Sequence, residues 1–597
     1  MKEELKRADI PVEYTWDIES MFKSYDEWNE MHDKVEKLAN EFEEHKETLI
    51  NSSDDLLKGI KDYETMYRNL MNLYSFASMN LDIDTRDSKA QALESKAISL
   101  YTKVSEKSSF VTPMILESDE DVIKGYLDEN EELSEYKQFF DNIFRGKKHV
   151  LSAREEAIMA QVSEIGTASS NTFSMLNNAD LKFPKIKDED ENEVEITHGN
   201  FIPFMESKNR RVRKDAFEAL YGVYFNNKNT LASTLSGEIK ANIFKSKMRG
   251  YESSRHASLH ENNIPVSVYD NLIESIHDNL DKMYKYMDVR KKVLGVEELH
   301  MYDIYTPIVS DVDFKFSYDE GVELIKKALQ PLGEEYVTAM EEGFNSRWVD
   351  VYETRGKRSG AYSGGSYDSH PFILLNYKDT LDNVFTTAHE MVHSMHSYLT
   401  RKYQPFIYGN YSIFLSEVAS TTNELLLLNY MLENTDDENE KLYLLNHYIE
   451  SFRTTVFRQT MFAEFEMIIN KFVEDGGALT SDYLCSTYSD LNKKYYGPNV
   501  VIDEEIGIEW ARIPHFYYNF YVFQYATGFS CAVDFSTKII NKEPGAVEKY
   551  LEFLKSGSSD YAINILQKAG VDMTTKEPVD NGMKLFGKLV DDFAELI

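Results

Sequence analysis

The sequence predicts a mainly α fold interrupted by one β-hairpin and one small β-sheet, and three observations carry that prediction. Thirteen prolines in 597 residues is about 2%, against a usual ~5%, so long helices go unbroken. Charged segments such as 56–66 and 71–81 place apolar residues at three-and-four spacing, the period of a helix with one buried face. Hydrophobic residues make up 42% and aromatics 13% of the chain, enough to fill a large core, so its acidity does not signal disorder.

In chain order, 20–109 reads as a set of long amphipathic helices, one opening at Asp54 after the capping run Asn51-Ser-Ser. A second helical stretch, 112–175, leads to two short runs, Leu181-Lys-Phe-Pro-Lys-Ile-Lys and Glu193-Val-Glu-Ile-Thr, that flank an acidic turn and predict a β-hairpin. The acidic turn lacks the ligand spacing and central glycine of a calcium loop and is expected to be solvated. Helices resume after Asn200. Trp348-Val-Asp-Val-Tyr, Gly360-Ala-Tyr-Ser and Phe372-Ile-Leu-Leu-Asn-Tyr then predict short strands around a glycine-containing loop. The expected partition is an N-terminal helical lobe (1–112), a helical segment ending in the hairpin (113–200) and a catalytic domain (201–597).

The 65 basic and 102 acidic residues leave a formal charge of −37, which excludes nucleic-acid binding through a generally basic surface. Two cysteines, Cys485 and Cys531, cannot build a disulfide framework or a four-thiolate metal site and are expected to be small buried hydrophobes. The N-terminus is charged where a signal peptide needs an apolar run, so the expected location is cytoplasmic. No run of ~18 apolar residues predicts a membrane partner.

The chemistry concentrates in Thr386-Thr-Ala-His389-Glu390-Met-Val-His393-Ser-Met-His396. Residues four apart on a helix project from one face, so His389 and His393 can grip one cation while Glu390 is turned ~100° towards a substrate. Chance predicts roughly 0.03 such His-Glu-x-x-His matches in this composition. Ala388, Met391, Val392, Met395 and Leu399 bury the helix, where imidazoles need partners. His396 lies ~10.5 Å along the axis from His389 and is expected to pack or to sit behind the ligands. Glycine and histidine are absent from 395 and 399, so the longer metzincin pattern does not continue. The third ligand is expected to be Glu417, in the first turn of a helix carrying four consecutive leucines from Leu425; the alternative is a carboxylate on the helix dipole. Glu424, two turns on, is expected to accept a hydrogen bond from a ligating imidazole, the alternative being a surface salt bridge. Two imidazoles and a carboxylate select one Zn²⁺ per chain, with cobalt or manganese not excluded by ligand type. Water activated by the metal, with Glu390 as general base, is then the expected hydrolytic chemistry.

The loop holding Gly360, Tyr362, Gly364, Gly365 and Tyr367 lacks the Gly-Lys-Ser/Thr ending of a phosphate loop. It reads as a mobile substrate-facing loop beside an edge strand, to which an extended peptide can hydrogen-bond, or as an ordinary turn.

These residues together resemble a known family. His389-Glu-x-x-His393 with Glu417 resembles the thimet-oligopeptidase-like zinc metallopeptidases. The run Arg358-Ser-Gly-Ala-Tyr-Ser-Gly-Gly-Ser-Tyr-Asp-x-His-Pro-Phe-Ile-Leu-Leu-Asn-Tyr, followed by Thr380-Leu-Asp-Asn-Val-Phe-Thr-Thr-Ala-His-Glu, is similar to the oligoendopeptidase F branch. The resemblance implies a two-lobed helical ellipsoid with zinc on the floor of a deep channel, and internal cleavage of short oligopeptides. It also implies that closely spaced tyrosines, best matched by Tyr518 and Tyr521, stabilise the oxyanion, and that His515 orients the substrate or shares in proton transfer. The stretch between histidine and tyrosines is shorter here than in the thimet branch, which leaves Tyr517 and Tyr525 as alternatives. A zinc aminopeptidase is disfavoured because no Gly-Ala-Met-Glu-Asn-like string precedes His389. The competing readings are a dipeptidyl carboxypeptidase on the same framework and, from another class, a non-catalytic helical interaction scaffold.

Overall fold

The computed structural model describes residues 5–309, 312 and 314–597. Met1 and the charged Lys2, Glu3 and Glu4, on which part of the leader argument rests, lie outside that range. The elements that frame the site and its supports begin, in chain order, with the helices α1 (Tyr25–Phe42), α2 (Ser53–Ile83) and α3 (Ser88–Ser108). Then come the hairpin strands β1 (Lys185–Lys187) and β2 (Glu193–Glu195), and the short helix α4 (Ser254–Glu261). The sheet follows as β3 (Val349–Tyr352), β4 (Tyr362–Gly364) and β5 (Phe372–Tyr377). Beyond it run α5 (Leu381–Tyr403), α6 (Ile413–Glu433), α7 (Glu438–Phe452) and α8 (Arg458–Glu474). The fold is mainly α, and among the described residues no helix is long and apolar enough to cross a membrane.

The chain divides into two compact units, each assembled from three stretches: Met1–Lys148, Asp313–Tyr430 and Phe535–Gly570 in the first, His149–Val312, Met431–Asp534 and Val571–Ile597 in the second. These units cut across the consecutive segments 1–112, 113–200 and 201–597, because packing joins helices that are remote in sequence.

In the first unit, α2 opens where Ser52 caps it, its hydroxyl accepting the Asp55 N–H at 3.1 Å. Such a cap satisfies one of the donors that a helix N-terminus leaves unpaired. The apolar stripes of α1, α2 and α3 meet in a core holding Trp28, Val35, Leu70, Leu73 and Leu100, and the Trp28 indole donates to the Leu73 carbonyl at 3.0 Å. Phe372 and Leu374 of β5 belong to that same core. Strand residues alternate between faces, so Ile373 and Leu375, equally buried, point the other way. The sheet order is β3-β5-β4, with β3 parallel and β4 antiparallel to the central strand, which leaves β4 at an edge.

In the second unit, β1 and β2 form the expected hairpin, Lys185 opposite Glu195 and Lys187 opposite Glu193. Helices α7 and α8 run on through a π-turn at Arg453–Phe457. A two-residue parallel ladder, Leu299 with Val500 and His300 with Val501, has no signal in the sequence. Cys531 is buried, whereas Cys485 is only half-buried.

Candidate metal centre and active site

Helix α5 starts where Thr380 caps it, its Oγ1 accepting the Asn383 N–H at 3.3 Å. Ala388, Met391, Val392, Met395 and Leu399 are buried to within 1%, which fixes the rotation of the helix and places His389 and His393 on its half-buried side. Their Nε2 atoms lie 3.1 Å apart, and Glu417 Oε2 lies 3.9 Å from His389 Nε2. One donor atom from each of the three residues falls within 4.8 Å of the others. Glu417 sits in the second turn of α6, not the first. Phe414 and Leu415 are buried and bring the start of the helix forward to Ile413, so a pure dipole role for the carboxylate loses its position.

Glu424 Oε1 accepts the Nδ1–H of His389, so the neutral form of that ring keeps its lone pair on Nε2. Burial works against charge on His389, but the hydrogen bond and charge of Glu424 outweigh it and raise the ring to about 9. Burial, then the neighbouring His389, lowers His393 to about 3. Two imidazole nitrogens with one carboxylate oxygen form a donor set that suits zinc.

Glu390 is 8% exposed. Burial raises its carboxyl above the ordinary range, and the Ser363 backbone N–H donates to it. Strand β4 is anchored to α5 a second time through the Ser363 and Ser394 hydroxyls, 2.8 Å apart. His396 stays out of the donor cluster: it is fully buried and stacks on Tyr411 at 3.6 Å and 3°.

The mobile-loop reading of the glycine segment needs correction. Tyr362, Ser363 and Gly364 are the edge strand itself. The Tyr362 hydroxyl donates to Asp82 Oδ2 at 2.7 Å, and that of Tyr367 donates to the Gln404 carbonyl at 2.6 Å; both rings are pinned by these bonds. Gly360 (φ +87°) and Gly365 (φ +115°) adopt backbone that side chains rarely take, and a Cβ on Gly365 would meet the His370 carbonyl at 3.0 Å. Between the start of β4 and the first turns of α5 lies a cavity of about 280 Å³ whose lining includes Gly360, Ala361, Leu375, Asn383 and Thr386. Thr386 is one turn before His389, on the same helical face.

The His515 segment belongs to the second unit. Its ring centroid lies 5.6 Å from Tyr518, 6.4 Å from Tyr521 and 6.0 Å from Tyr525. Burial and then the positive charge of Arg458 lower His515. Among the described residues, neither the Tyr518 nor the Tyr521 hydroxyl has a hydrogen-bond partner, so both keep a donor for a ligand. Tyr517 leaves the set of alternatives: its hydroxyl lies 2.8 Å from Thr234 Oγ1, and its ring stacks on Phe173 at 4.4 Å. Sequence reasoning missed Glu466 of α8, whose carboxylate accepts the Phe520 N–H at 2.9 Å. Its signal was an acid inside the apolar run Met461-Phe-Ala-Glu-Phe-Glu-Met-Ile-Ile.

A His-Glu-x-x-His helix with a remote glutamate converging on it, in a mainly α chain, defines the metallopeptidase class. Residues 203–585 match Peptidase family M3, and the chain belongs to that family. Residues 115–183 match the description Oligopeptidase F. Oligopeptidase PepF of Bacillus subtilis is 49% identical over 99% of this chain and 88% of its own length. An oligoendopeptidase F homolog of Lactococcus lactis is 44% identical over 99% and 98%. The crystal structure of oligoendopeptidase-F from Enterococcus faecium has a TM-score of 0.73, with 42% identity over 96% of this chain and 99% of the other. A solved Chlamydophila abortus chain superposes over the full length of both with a TM-score of 0.94 and 37% identity. Within its family the chain is therefore an oligoendopeptidase F-type enzyme, a metalloendopeptidase.

Proposed function

We propose that the enzyme is zinc-dependent, that His389, His393 and Glu417 hold the ion, and that Glu390 is the general base. The observation that carries the reading is the approach of three donor atoms to within 4.8 Å around the helix that also bears Glu390. When bound, zinc supplies a Lewis acid and lowers the pKa of water towards ~7. Glu390 takes a proton from the attacking water and returns it to the leaving amine. Its carboxyl, raised by burial, holds a proton more readily than an exposed glutamate does, which favours taking it from water. The Ser363 N–H fixes where the carboxylate points. The edge of β4, with the cavity at Ala361, receives the peptide backbone and one uncharged side chain. Tyr518 and Tyr521, with Tyr525 the remaining alternative, donate to the oxyanion, and His515 orients the substrate or shares in proton transfer.

The test is Glu390→Gln beside the parent enzyme on a peptide acetylated and amidated at its ends. Metal analysis should find about one zinc per chain in both proteins. The parent should cut internal bonds, and the variant should lose about 10²–10⁴-fold in kcat. Full activity in the variant would remove Glu390 as base; an inert blocked peptide would favour a carboxydipeptidase; a zinc-free active enzyme would overturn the metal.

A further inference from the structure

The two phenols given to the oxyanion are separated by two residues whose backbone is strained. Asn519 has φ +44° and Phe520 φ +59°. Asparagine tolerates the left-handed region; phenylalanine, with its large side chain, occupies it only when the surroundings force it. Since Tyr518 immediately precedes this turn and Tyr521 immediately follows it, the dihedrals of Asn519 and Phe520 set the angle between the two phenols, whose rings stand 6.2 Å apart at 89°.

Three elements of the second unit hold the turn. From α4, Ser254 Oγ donates to Asn519 Oδ1 at 3.0 Å and Ser258 Oγ donates to the Asn519 carbonyl at 2.7 Å. The Phe520 ring is 2% exposed and meets the Tyr269 ring edge-on at 5.8 Å. From α8, Glu466 Oε1 accepts the Phe520 N–H at 2.9 Å. The Glu466 carboxyl is itself 1% exposed, among the described residues its other oxygen has no hydrogen-bond partner, and burial pushes it up to about 8. A leucine would fill the same space without burying a polar group, but it would leave the Phe520 N–H unpaired.

We propose that Glu466 is a positioning residue for the reaction: by accepting the Phe520 N–H it locks the Asn519–Phe520 turn that aims Tyr518 and Tyr521. The inference rests on the proposed role of those tyrosines and goes beyond it by naming what holds them. Removing the acceptor releases the turn, and a donor misplaced by an ångström costs transition-state stabilisation while leaving ground-state binding largely intact.

The experiment is a double-mutant cycle on the zinc-loaded full chain. Glu466→Leu should lower kcat about 10–100-fold, with KM changed less than about threefold and zinc content unchanged. Glu466→Gln, which keeps an acceptor oxygen in the same place, should restore kcat to within about threefold of the parent. In a Tyr518→Phe, Tyr521→Phe background, Glu466→Leu should cost nothing further, because its effect runs through phenols no longer present. Additive losses, or failure of glutamine to rescue, would overturn the inference while leaving the tyrosine role standing. A harmless Tyr518→Phe, Tyr521→Phe pair would overturn both. Should Glu466→Leu not fold, Ser258→Ala releases the Asn519 carbonyl without touching the buried carboxyl, and the same non-additivity should appear on a loss of about 3–10-fold.

Discussion

Glu424 stands behind His389, its Oε1 accepting the Nδ1–H of the ring whose Nε2 lies 3.1 Å from that of His393. Helix α6 supplies both carboxylates of the site: Glu417 and Glu424 are seven residues, two turns, apart and so share a face. One faces the point between the imidazoles and the other fixes a ring from the rear. Losing the rear partner frees His389 to rotate and to exchange tautomers. Glu424→Ala should weaken zinc binding about 10–100-fold in competition against a chromogenic chelator. Glu424→Gln, which still accepts from Nδ1–H, should fall between the two. Equal affinities across the three proteins would show that the hydrogen bond does not support the metal.

How the site could be read from sequence, and where reading stopped, follows from the range of each signal. His389, Glu390 and His393 are legible because helical geometry converts a spacing of four into a shared face, and the leucine run from Leu425 shows that α6 is buried. The sequence puts Glu417 in the first turn of α6, whereas the helix starts at Ile413, because the burial of Phe414 and Leu415 is set by packing. The glycine segment misled because glycines signal permitted flexibility, whereas Tyr362 and Tyr367 are pinned by Asp82 and the Gln404 carbonyl, partners 280 and 37 residues away. The turn at Asn519 and Phe520 was illegible: a positive φ at phenylalanine leaves no mark on the sequence and depends on the contacts that Glu466, Ser254, Ser258 and Tyr269 make with the turn.

The cavity at the start of β4 bears on which peptides are cut. Among the described residues its lining holds no charged side chain: Ala361 and Leu375 are apolar, and Asn376, Tyr377, Asn383 and Thr386 are polar but neutral. An ionised side chain entering it would give up water for no opposite charge, so neutral residues should be favoured there. Ala361→Leu narrows it from the strand side. Product mapping on a diverse peptide library should then show bulky neutral residues losing about tenfold in kcat/KM at one position beside the cleaved bond, within the 1–3 kcal/mol that hydrophobic pockets discriminate. Small residues at that position should be spared. An unchanged preference profile would remove the cavity from the substrate path.

Stability at low pH should hinge on Glu450 in the second unit. Its Oε2 accepts Arg453 Nε at 2.9 Å and Nη2 at 2.6 Å, and its Oε1 accepts Arg290 Nη1 at 3.2 Å. Burial alone would push this carboxyl up, but Arg453 and then Arg290 more than offset it and hold the group down to about 2. A carboxyl depressed in the folded state stabilises the fold above its unfolded pKa of ~4.3, and the contribution is lost as pH falls from there towards 2. The depression corresponds to about 3 kcal/mol at neutral pH. Removing the charge also leaves Arg453, itself 1% exposed, without its compensating carboxylate. Glu450→Gln should therefore lower the urea midpoint strongly at pH 7. The gap from the parent should stay constant down to about pH 4.5 and narrow below it, because the parent then loses the same charge by protonation. A gap of constant size from pH 7 to pH 3 would mean that the carboxylate's charge contributes nothing and that the substitution acts through packing alone.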